Sequence, residues 1–130
     1  MKLIKQIILL SLLLATTAYS DTQSLNDNKL LTMTIAKDAP TRLVLDQEKI
    51  ADVFFYPEEA AKVILHQSGS VFVVPMKDQT HVYLTVMGEN GSTQDCALTF
   101  ADKSPEPVKF IEEKTLTMKP IINNKKEKTQ

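Results

Sequence analysis

The feature that most limits what this chain can become is a two-residue rhythm. In "LLTMTIAKD", Leu31, Met33 and Ile35 fall on one face and Thr32 and Thr34 on the other. "TRLVLD" sets Leu43 and Leu45 together, and "HVYLTVM" sets Val82, Leu84 and Val86 against Tyr83 and Thr85. "DCALTFAD" aligns Cys96, Leu98 and Phe100, and "PVKFIE" reads as a closing strand. "SVFVVPM" is apolar on both faces, as a central strand is, and Pro75 stops it because proline brings no N–H to a ladder. Successive side chains of a strand point to opposite faces, so runs like these bury one face against a partner layer. Turn residues interrupt them every 8 to 12 positions or so, the spacing of sandwiches and barrels. The expectation is an all-β sandwich or barrel, taken as a single small β-sandwich of about seven or eight short strands.

One segment is ambiguous. In "IADVFFYPEEAAKVILHQSG", Pro57, Glu58 and Glu59 suit the start of a helix. Glu58 to Leu65 is short for a helix, however, and Val63, Ile64 and Leu65 suit a strand, so the segment is read as strand, turn, strand.

The ends are different. "MKLIKQIILLSLLLATTAYS" joins Lys2 and Lys5 to an apolar run from Ile7 to Ala15 and then to small residues ending Ala18-Tyr19-Ser20. These are the three parts of a secretory signal peptide, with Ala18 and Ser20 at the cleavage site. The run is shorter than the roughly 20 apolar residues that cross a bilayer. No cysteine stands at its end, where a lipoprotein would require one. The predicted organisation is a signal peptide over 1–20, a polar segment over 21–29, the sandwich over 30–114 and a polar tail over 115–130. The mature chain is expected in the periplasm, with no transmembrane segment. The strand at Leu31 and the strand at Val108–Ile111 are expected to be sheet edges, each next to a polar terminus.

Chemistry is sparse. The net charge of −1 over 130 residues, with lysines scattered until Lys125, Lys126 and Lys128, gives no basic stripe for nucleic acid. His66 and His81 are isolated and the single cysteine, Cys96, can form no internal disulfide. Cys96 lies on the apolar face with Leu98 and Phe100, after the turn dipeptide Asn90-Gly91, and reads as a structural thiol. Glu58-Glu59 and Glu112-Glu113 are adjacent, so on a strand they would point apart rather than work as an acid/base pair. With three glycines there is no phosphate loop. No catalytic, cofactor or metal site is expected; what remains is binding.

The runs "APTRLVLDQEKIADVFF", "SGSVFVVPMKDQTHVYLTVMGENGSTQDCALTF" and "SPEPVKF" resemble the N-terminal domain of TraK-type, secretin-like proteins of F-type conjugative type IV secretion systems. The resemblance runs from about Leu31 to Ile111. It rests on a Pro-Thr-x-Leu opening strand, a corner with Asp46, Lys49 and Ile50, and the strand from Gly69 through Val71, Phe72 and Val73 to Pro75. It implies a non-enzymatic periplasmic sandwich that assembles into a ring in an outer-membrane core complex, beside a lipoprotein and an inner-membrane-anchored partner. Such proteins carry a second β-domain, where this sequence has "INNKKEKTQ". The competing readings are a stand-alone periplasmic or secreted binding protein, inhibitor or chaperone-like, and a small hydrolase.

Overall fold

In the computed structural model, which describes residues 21–112, every alternating run is a strand. The strands are β1 (Asp21–Ser24), β2 (Leu31–Ala36), β3 (Thr41–Leu45), β4 (Ile50–Tyr56), β5 (Ala61–Leu65), β6 (Val71–Pro75), β7 (His81–Gly88), β8 (Thr93–Ala101) and β9 (Val108–Ile111). They form a five-stranded sheet in the order β1-β9-β3-β6-β5 and a four-stranded sheet in the order β2-β8-β7-β4. The all-β sandwich stands, with nine strands among the described residues instead of seven or eight. The signal peptide, Ala18, Ser20 and the tail from 115 lie outside those residues.

Alternation becomes packing as expected. Leu43, Val71, Val73, Val108 and Phe110 from the first sheet meet Ile35, Val82, Leu84, Val86, Cys96 and Leu98 from the second, all essentially without solvent exposure. At about 25 cal/mol per Å² of apolar area removed from water, this inner layer is the main favourable contribution to folding. The ambiguous segment is strand, turn, strand: β4, a single 3-10 turn at Glu58–Ala60, then β5. The predicted hairpin also forms, with Leu84 opposite Cys96 and Val82 opposite Leu98. Its turn uses positive φ at Gly91 (+97°) but not at Asn90. Gly91 N–H closes onto Gly88 O at 3.1 Å, which makes a longer loop than the two-residue hairpin turn that Asn-Gly suggests.

Two expectations are corrected. The polar segment 21–29 belongs to the sandwich: its first four residues are β1, parallel to β9 from Asp21↔Val108 to Ser24↔Ile111. Asp-Thr-Gln-Ser shows no apolar alternation because backbone pairing, not side-chain burial, holds it in place. Asp21 N–H donates to Pro107 O and Leu25 N–H to Ile111 O, both at 2.8 Å. In consequence β9 lies between β1 and β3 and is not an edge. β2 is an edge, as expected; the others are β1, β4 and β5.

The crossing from β1 to β2, residues 25–30, is held by a buried polar side chain. Gln94 continues the inward face of β8 beyond Cys96 and is fully buried. Its Oε1 accepts from Asn26 N–H at 2.7 Å, and its Nε2 donates to Lys29 O and to Asp95 O, each at 2.9 Å. A buried amide is tolerable only when its hydrogen-bonding capacity is met, and this one is largely used.

Candidate assembly surfaces

Asp46, Lys49 and Ile50 form the corner where the chain leaves β3 in one sheet for β4 in the other. Asp46 N–H donates to Phe110 O at 2.9 Å, and its carboxylate pairs with Lys109 Nζ at 2.9 Å while accepting from Gln47 Nε2 at 2.8 Å. These bonds, Lys109's first and Gln47's second, hold the Asp46 carboxyl below the usual carboxylate range. Ile50 is buried and its N–H donates to Gly69 O at 3.0 Å; Lys49 O accepts from Glu89 N–H at 3.0 Å. Gly69 has φ +90°, and a Cβ there would stand 2.4 Å from Lys49 Cβ. Both its conformation and the closeness of the corner demand glycine. Glu48, which the sequence reading passed over, accepts from Asn90 N–H and from the Ser92 hydroxyl.

The structure thus gathers Asp46, Lys49, Ile50 and Gly69 at one end of the sandwich, where they tie the turns at 66–70 and 88–92 to β9. Val71 and Val73 run from there into the core. Phe72 points outward, edge-on to His66 with ring centroids 6.3 Å apart, and Pro75 ends the pairing with Ala61. These positions build the scaffold.

Cys96 is fully buried, and burial, with the Asp95 charge adding, pushes its thiol up to about 12. At neutral pH it is a protonated, small hydrophobic side chain, not a nucleophile. His66 Nδ1 bonds within its own turn to Ser68, and His81 Nδ1 lies 3.0 Å from the neighbouring Thr80 hydroxyl. Among the described residues, no three of the His, Cys, Asp and Glu side chains gather where an ion could sit.

The surface features are the edges. The β2 edge is guarded, since Lys103 Nζ donates to Thr34 O at 3.3 Å. The β4 and β5 edges follow each other through the 3-10 turn, so they run along one side of the sandwich. Of the seven exposed large hydrophobic side chains among the described residues, four are here: Phe54 and Tyr56 on β4, Ile64 and Leu65 on β5. Tyr83 on β7 stands directly opposite Tyr56 and is also exposed. Sequence alternation could place Phe54 and Tyr56 on one face. It could not say that β4 ends a sheet.

By fold, then, the chain is a mixed-sheet β-sandwich domain with its free apolar side chains concentrated along two edge strands. The family model of the TraK N-terminal domain matches residues 24–119, and the chain belongs to that family. Membership relates it to conjugation and type IV secretion. No curated protein gives a match.

Proposed function

We propose that this protein is a structural, non-enzymatic subunit of the outer-membrane core complex of a conjugative transfer system, working in the periplasm by protein–protein assembly. The observation that carries this reading is the β4–β5 side. Two strand edges there, unpaired among the described residues, lie with four large exposed apolar side chains, Phe54, Tyr56, Ile64 and Leu65. Free edges add a partner's strand through main-chain hydrogen bonds, and apolar side chains beside them supply contact area. In this reading such subunits form a ring beside a lipoprotein and an inner-membrane-anchored component, which hold it to the envelope; a TraK N-terminal domain, related to conjugation, supports it.

Photo-cross-linking side chains placed at Tyr56, Ile64 and Thr34 in intact envelopes test it. Adducts with other envelope polypeptides are expected at Tyr56 and Ile64, and fewer at Thr34, where Lys103 covers the edge. Recovery of free monomer from all three positions would replace assembly with the stand-alone binding protein.

A further inference from the structure

The two sheets treat their edges differently. In the β2-β8-β7-β4 sheet a side chain closes each edge. Lys103 Nζ donates to Thr34 O at 3.3 Å on β2, and Asp52 Oδ1 accepts from Val53 N–H at 2.8 Å on β4, beside a shift of register between Ile50 and Asp52. Charges and bulges of this kind keep an edge from adding a strand. The five-stranded sheet ends in β1 and β5, and among the described residues nothing bonds the outward backbone groups of either strand.

We infer that the β5 edge of one copy takes the β1 edge of the next, so that the five-stranded sheet runs on from subunit to subunit. The inference rests on the assembly reading and names the partner at its β5 edge. Strand direction agrees with it. β1, β9 and β3 are parallel, and two antiparallel steps, β3 to β6 and β6 to β5, return β5 to the same direction. A junction that keeps the core side of the sheet on the core side is therefore parallel.

Hydrogen-bond phase then selects one register. Asp21 and Leu25 N–H donate to β9 or its flank, so the backbone groups of Thr22 and Ser24, whose side chains face solvent, point away from the sheet. At the other edge His66 N–H donates to Ser70 O and Met76 N–H to Ala60 O. By the same alternation Ala61, Val63 and Leu65, on the core side of β5, turn their backbone groups outward. In a parallel pair a residue turned toward the partner strand stands opposite one turned away. Two registers cover all four residues of β1, and only the one with Ala61 opposite Asp21 of the next copy meets this condition. Thr22 N–H then donates to Ala61 O, Val63 N–H to Thr22 O, Ser24 N–H to Val63 O and Leu65 N–H to Ser24 O. Every outward group of β1 is used. The exposed Leu65 meets Leu25, which packs at the rim of the next copy's core. Phe54 and Tyr56 project from the other sheet and stay free for other components.

One strand edge buries less than the roughly 1,200 Å² of a stable pair, so a single junction is weak. Its head-to-tail form closes into a ring or grows into a filament, and closure supplies the missing stability.

Ser24 and Ile64 stand opposite each other in this register, about 4.8 Å apart, a separation that a disulfide spans. The chain's own thiol, Cys96, is buried. Exported protein carrying Ser24→Cys and Ile64→Cys, mildly oxidised at high concentration, should give a ladder of covalent multimers that reduction collapses, and each single variant should give nothing above dimer. Leu65→Pro removes one donor of the junction and none of the β5–β6 ladder. Added to the double variant, it should lower the multimer yield about five-fold with far-UV circular dichroism unchanged, the effect of one main-chain hydrogen bond. A missing ladder, or one indifferent to Leu65→Pro, would overturn the inference. So would dimer from Ile64→Cys alone in the yield of the double variant's multimers, which means that β5 pairs with a second β5. With no ladder but photo-adducts at Tyr56 and Ile64, the assembly reading stands without this junction; with neither, both fall.

Discussion

Replacing Gln94 with leucine tests how the two sheets are joined at their polar end. The amide makes three hydrogen bonds, to Asn26 N–H at 2.7 Å and to Lys29 O and Asp95 O at 2.9 Å. Each contributes about 1 kcal/mol net, and leucine offsets part of the loss with its own buried apolar area, which leaves a cost of about 2–3 kcal/mol. For a domain whose total stability is about 5–15 kcal/mol that is a large fraction, equivalent to roughly 10–20 °C in Tm. Urea unfolding should show a lower midpoint at unchanged m, because the surface exposed on unfolding is the same. Amide exchange should quicken at Asn26 first, as the 25–30 crossing comes free. A loss under about 1 kcal/mol with Asn26 still protected would refute the clamp and make Gln94 a passive filler.

Four further outcomes are expected. Gly69→Ala should cost about 3 kcal/mol in a thermal melt, since a side chain at positive φ is strained by about 1–2 kcal/mol and its Cβ also collides with Lys49. Thr41→Val should raise the melting temperature, with a gain of about 1 kcal/mol, because the Thr41 hydroxyl is buried without a partner among the described residues and valine keeps the shape. Cys96 should react slowly with a thiol reagent in native protein at neutral pH and quickly once unfolded, and Cys96→Ala should cost about 1–2 kcal/mol in urea unfolding. The Asp46 carboxyl is lowered in the folded state, so its pairing stabilises above the ordinary carboxylate pKa of about 3.9 and fades as pH falls through the folded value. Asp46→Asn should therefore be less stable than wild type near pH 6 and lose that deficit in acid, as read by unfolding midpoints across pH.

Alternation alone determined that this chain is all-β, because a strand that buries one face must show period two; that the strands divide into two sheets was decided by the tertiary structure. Val82, Leu84 and Val86 against Tyr83 and Thr85 could be assigned to inside and outside before any fold existed. The burial of Cys96 followed from the same rule. The rule is silent wherever backbone pairing or a single buried amide does the holding. β1 has four polar or small residues and is a strand only because β9 offers it a ladder. Gln94 reads as an ordinary polar residue until the β1–β2 crossing is laid over it. Edge status was equally out of reach: Val108–Ile111 sits late in the chain yet lies inside a sheet, while Ile50–Tyr56, in mid-sequence, ends one. Which strand is an edge depends on pairings between residues far apart in the chain, and side-chain periodicity carries no record of them.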